Sequence, residues 1–145
     1  MIPDLVALVG ATLFAGAALY ITLVEHPARM GLEDGPLLAQ WQPSYKRALP
    51  IQASLAILGG AAGCLAWYVH REWQWLAGSL FLLANWPFTM LVIMPTNKRL
   101  MAMQPQHAGP ESRDLLRRWA NLHGVRSALG SAASLLFVWA FFVTR

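Results

Sequence analysis

Trp119, His123 and Arg126 stand at the mouth of the last long apolar run of the chain. At i, i+4 and i+7 the three fall within a narrow arc of one helix face. The segment that follows, Ser127 to Val143, carries no charge. An imidazole supplies a base near neutral pH, and a guanidinium holds an anion through several N–H donors. Such groups at the edge of an apolar medium are costly unless partnered, which marks the place as functional. Elsewhere Glu25, His26, Gln52 and Asn97 sit at the same end of their own apolar runs, and Asn85 lies inside one.

Bringing these residues together is a task for membrane helices. The composition is 57% hydrophobic and 12% charged over 145 residues, too apolar for an ordinary soluble domain. Leu5 to Val24, Ala48 to Val69, Trp73 to Met94 and Gly124 to Val143 each approach the roughly 20 residues that span a hydrocarbon core. The first has no basic segment before it and reads as a retained helix rather than a secretory signal. The expectation is an all-α fold: an integral membrane four-helix up-down bundle, formed by residues 1–145 as one domain. Its expected partners are membrane lipids.

Charge gives the bundle a direction. Eight basic residues (Arg29, Lys46, Arg47, Lys98, Arg99, Arg113, Arg117, Arg118) fall in the two connections between spans one and two and between three and four. Only two, Arg71 and Arg145, fall on the other side, with Arg126 counted as intramembrane. The positive-inside rule places both connections in the cytoplasm and both termini outside, the expected location being a bacterial inner membrane. A net charge of +4 spread over helix ends, with no basic patch among aromatics, excludes a nucleic-acid partner. The single Cys64 excludes an intrachain disulfide.

Prolines mark the expected breaks. Pro27 and Pro95 are read as helix stops behind Glu25-His26 and Met94, and Pro87 as a kink whose freed carbonyl a neighbour must satisfy; Asn85 and Thr89, at i and i+4, face either that local repair or a substrate cavity. Ala28 to Arg47, with Pro36, Pro43, Trp41 and Tyr45, reads as a long loop lying at the interface or covering a pocket. His70 reads as a solvated turn residue, and so does His107. Pro110, Glu111 and Asp114 start a last helix of about 50 Å. Arg126 needs an anion at its own depth, and Glu25 is the carboxylate expected to supply it, the rival being an Arg126 that reaches alone toward the headgroups.

Three motifs together carry a resemblance. Glu25-His26-Pro27-Ala28-Arg29 closes span one, Met94-Pro95-Thr96-Asn97 closes span three, and Trp119, His123 and Arg126 open span four. In this pattern the chain resembles the anthrone-oxygenase-like family of small four-helix membrane proteins, whose last motif often has Asn where this chain has His123. The resemblance implies oxidation of a small hydrophobic aromatic, an anthrone becoming an anthraquinone with dioxygen and no flavin or haem. His26 or His123 would then be the base, and Arg126 with Asn97 would hold the oxyanion, beside Glu25. Trp119, Trp41, Gln52 and Asn85 would bind the substrate, in a pocket between spans one, three and four.

Two other classes fit the same residues. His26, His123 and Glu25 form a conceivable ligand set for zinc, copper or iron, or for haem, although no ligand pair has a recognisable spacing. A polar cluster that only locks the bundle, in a lipid-phase binding or structural protein, is the third.

Overall fold

The structure is a computed structural model in which residues 2–144 are described. Arg145, one of the two charges assigned to the outer side, lies outside the described residues. Four helices, α1 (Ile2–Arg29), α2 (Asp34–His70), α3 (Trp73–Ala102) and α4 (Pro110–Val143), are each long and apolar enough to cross a membrane. They run up and down in a square: α1 and α3 each pack on α2 and α4, while the diagonal pairs scarcely touch. The expected all-α four-helix membrane bundle is what the chain forms.

Small residues set the spacing at the termini end. A Cβ added to Gly10 would lie 3.0 Å from the Cα of Gly59, so α1 and α2 meet backbone to backbone. One core layer there gathers Ala7, Ala11, Phe14, Ala56, Trp75, Leu82 and Phe137. A second layer at the other end, nearest the 30–33 and 103–109 connections, gathers Ile21, Leu37, Leu38, Trp41, Leu100, Leu116 and Trp119. Between the two lie the buried polar residues Gln52, Asn85, Thr89, His123, Arg126 and Ser127.

Three expectations about helix ends are corrected. The stretch from Ala28 to Arg47 is not a long loop: α2 begins at Asp34 and runs straight through Pro43 and Pro50. Pro36 falls in its first turn, where a missing N–H costs nothing. The burial of Leu37, Leu38 and Trp41 offsets the bonds the interior prolines remove, so Trp41 is a core residue and not an interfacial one. Nor do Pro27 and Pro95 stop their helices. Each is preceded by one wide π-helical turn, Ile21–Glu25 and Thr89–Ile93, closed by bonds from the N–H of His26 to Ile21 and of Met94 to Thr89. The wider turn makes room for the proline ring, and the helix resumes behind it. At Pro87 the Asn85 amide donates to the carbonyls of Leu82 (3.1 Å) and Phe81 (3.4 Å), beside that of Leu83, whose i+4 donor the proline removes.

Side chains tie both ends. Arg113 donates to Asp34 at 2.5 Å and to the carbonyls of Met30 and Leu32 at 2.9 and 2.6 Å, fastening the first turn to α4. At the termini end His70 is not solvated; its Nε2 lies 3.1 Å from both carboxylate oxygens of Asp4, because α1 and α2 finish side by side there.

Candidate functional site

α4 delivers the centre of the site. Trp119, His123 and Arg126 share its inner face, as their spacing implies, and are 5%, 2% and 7% exposed. Arg126 has the least expected surroundings. Among the described residues it makes no ion pair and no hydrogen bond, and its Nε is buried without a partner. Its guanidinium lies 5.6 Å from the ring centre of Phe14, a contact worth far less than a carboxylate. The Tyr45 phenol and the His123 ring are among its electrostatic neighbours.

Glu25 is therefore not the partner of Arg126. It accepts from Arg29, one turn further along the same helix, and from Ser44 (2.7 Å) and Gln40 (3.3 Å) of α2. Because the helix continues past Pro27, Arg29 is carried inward and is 4% exposed, rather than standing in a cytoplasmic loop. An i, i+4 pair on one helix wins over a pairing across the bundle, since less side-chain freedom is lost in forming it.

His123 is held in a fixed pose. Its Nδ1 lies 3.1 Å from the Thr22 hydroxyl, which lies 2.8 Å from that of Ser127. The Ser127 hydroxyl donates to the carbonyl of His123 at 3.3 Å. When Ser127 gives its proton to that carbonyl, Thr22 donates to Ser127 and accepts from Nδ1–H, the tautomer that leaves the lone pair on Nε2. The Trp119 ring stacks on His123 at 4.7 Å and meets His26 on a tilt at 5.1 Å. Trp41 meets Trp119 edge-on at 5.7 Å and stacks on Tyr45 at 4.9 Å. The two indoles expected to stack on a substrate thus stack on protein rings.

Two cavities meet at Arg126. One of about 20 Å³ lies between α1, α2 and α4 and is bordered by Arg29, Trp41, Gln52, Trp119, His123 and Arg126. The other, of about 250 Å³, lies between α2, α3 and α4 and is bordered by Ala53, Asn85, Trp86, Thr89, Met90 and Arg126. The larger cavity therefore forms beside α2, α3 and α4, not between spans one, three and four. Along this wall α3 is irregular, with a turn at Ala84 and the π turn Thr89–Ile93.

Of the residues singled out in the sequence, Gln52, His123, Arg126, Trp41 and Trp119 border the small cavity and Asn85 the large one. Glu25, His26 and Asn97 border neither. Asn97 acts at one remove, its amide donating to the Tyr45 hydroxyl at 3.1 Å. His26 is 4% exposed and neither ring nitrogen makes a well-formed bond, the Leu116 backbone lying close across the interface. No three His, Cys, Asp or Glu side chains converge on a metal position among the described residues. Sequence reasoning missed Thr22, Arg29 and Tyr45. Tyr45 was signalled by lying four residues after Trp41 once the segment is read as helix; Thr22 carried no signal.

Fold and site together define a four-helix membrane protein with a polar middle layer and a bare buried cation. This chain belongs to the anthrone oxygenase family, whose model matches residues 41–136. An anthrone oxygenase of Claviceps purpurea (strain 20.1) is 28% identical over 145 aligned residues, covering 90% of this chain and 83% of the relative. Anthrone oxygenase tpcL of Aspergillus fumigatus is 48% identical over 56 residues, 34% of this chain and 33% of the relative. No solved structure matches the chain.

Proposed function

We propose that the protein is a membrane-embedded oxygenase that converts a small flat aromatic of the anthrone type to the corresponding quinone, using dioxygen and no bound cofactor. The observation that carries this reading is the Arg126 guanidinium, 7% exposed and without a protein anion. A buried cation left bare is a position kept for an anion that arrives with the chemistry.

The steps assign one role to each group. Through one water in the small chamber, Nε2 of His123 takes a proton from the ring CH₂, and the electron pair moves to the carbonyl oxygen of the anthrone. That oxyanion sits on Arg126, with the Tyr45 phenol nearby and kept in place by Asn97. Dioxygen adds at the deprotonated carbon, the proton returns, and loss of water leaves a second carbonyl. One oxygen atom enters the product and the other leaves as water, so anthrone plus dioxygen balances against anthraquinone plus water. Resonance across three rings makes the first proton acidic enough for an imidazole, so the chain's own residues need only position and stabilise.

The test is a direct one. Purified protein in lipid nanodiscs, given an anthrone, consumes one dioxygen per quinone formed at a rate well above the spontaneous oxidation in protein-free nanodiscs. Equal rates with and without protein contradict the reading.

A further inference from the structure

The two cavities that share Arg126 differ in size by more than tenfold, about 250 Å³ against about 20 Å³. The smaller has room for one water-sized molecule. A cavity of about 150 Å³ is enough to take benzene, so the larger suits a more extended ring system. Their linings differ as well. The small one carries the polar groups of His123, Gln52, Arg29 and Ser44. The large one is built from Leu49, Ala53, Ala56, Trp86, Met90 and Met94, with Asn85, Thr89 and Arg126 as its polar features.

The large cavity also faces the lipid. Trp86 and Met90 at its rim are 40% and 52% exposed on the outside of the bundle, and Pro50 is exposed beside them. The gap borders the irregular part of α3: Asn85 spends its amide N–H groups on the carbonyls of Leu82 and Phe81, and the π turn begins at Thr89. Two polar atoms at this wall have no partner, the Asn85 side-chain oxygen and the Thr89 hydroxyl, both closed off from water by their neighbours. With its N–H groups committed, Asn85 can only accept, so it suits the O–H of a phenol once a ligand parts the side chains that cover it.

We propose that the site is divided: the lipid-facing cavity between α2 and α3 receives and holds a planar polycyclic phenol drawn laterally from the bilayer, and the chamber behind Arg126 admits only dioxygen or water to the His123 side. This rests on the proposed oxygenase reading for the identity of the small molecule, but not for the location of the aromatic. Thr89 and Asn85 read a ring hydroxyl, and Arg126 meets the oxygen that gains charge. An acyl chain would use the apolar wall and leave all three polar groups unanswered.

The experiment measures binding apart from turnover. The full chain in nanodiscs is titrated with 1,8-dihydroxyanthraquinone, and with unsubstituted anthraquinone, by visible and ultraviolet absorbance against protein-free nanodiscs. Ala53→Phe fills the large cavity, and Met90→Trp narrows its rim from an exposed position that leaves the core untouched. Ala48→Leu fills the small chamber instead. Expected are a tenfold or greater loss of affinity for the dihydroxy probe in Ala53→Phe and in Met90→Trp, and a change within twofold in Ala48→Leu. The dihydroxy probe binds at least fivefold tighter than the unsubstituted one, and Thr89→Val narrows that preference. Affinity unchanged in both Ala53→Phe and Met90→Trp, no saturable binding to the unaltered chain, or equal affinity for the two probes overturns the proposal, the last outcome meaning an acyl-chain groove. Binding that responds as expected in a protein that turns over no anthrone would leave this site standing and remove the oxygenase reading; turnover with binding indifferent to the cavity variants would do the reverse.

Discussion

The hydroxyl of Thr22 on α1 lies 3.1 Å from Nδ1 of His123 on α4, across 101 positions of sequence. That bond orients the imidazole and selects which nitrogen carries the lone pair. Thr22→Val keeps the shape and removes the bond. Turnover should fall about tenfold, the lower range for loss of an orienting partner, with KM unchanged and the bundle folded. A change in KM alone would mean that Thr22 shapes the cavity and does not orient a base.

His123 itself is tested by two replacements. His123→Ala should lower turnover about 100-fold or more, as loss of a positioned base does. His123→Asn should fall as far, because an amide cannot accept the proton. Full activity in the Asn variant would remove His123 from that role. His26 would be a poor successor, since it borders neither cavity.

Much of this architecture is legible in the chain. Four apolar runs give the helices, and the spacing of Trp119, His123 and Arg126 gives a shared inner face. What misleads is proline. Pro27 and Pro95 read as stops because an α-helix cannot keep its bonding past them, yet one π turn before each lets the helix go on. Reading Pro27 as a stop leaves Arg29 in solvent and makes Arg126 look like the natural partner of Glu25. Pro36 and Pro43 likewise disguise the first turns of α2 as a loop and hide the inward-facing Trp41 and Tyr45. Thr22 was beyond reach because a threonine in an apolar helix is equally at home bonding its own backbone.

The corrected ion pair has its own test. Glu25→Gln and Arg29→Met should each destabilise the protein by about 1–3 kcal/mol, the penalty for leaving a buried polar group unpaired. Glu25 keeps 24% side-chain exposure, which places its loss at the lower end. The double variant should lose less than the sum. Glu25→Gln combined with Arg126→Met should be additive within about 0.5 kcal/mol, as for groups sharing no partner. Thermal melts of these four variants and of Arg126→Met alone decide it, and strong coupling of Glu25 to Arg126 would contradict the structure.

Orientation follows from charge. With Arg29 buried beside Glu25, the basic residues of the 30–33 and 103–109 end still outnumber those of the other end, where Arg71 is the described one. A reporter active only outside the cytoplasm, fused to the C-terminus, should therefore be active in a bacterial inner membrane. Activity of a cytoplasm-only reporter at that position would reverse the topology.

The bare guanidinium of Arg126 is the centre of this account, and Arg126→Met tests it most directly. The variant keeps an unbranched apolar stem, loses the charge and should melt no lower than the parent, because no anion is left behind among the described residues. Dioxygen consumption with an anthrone in nanodiscs should drop about 100- to 1000-fold, the range for removing an oxyanion-stabilising donor. Turnover within threefold of the parent, in a variant that is folded, would contradict the assignment of Arg126 to the oxyanion.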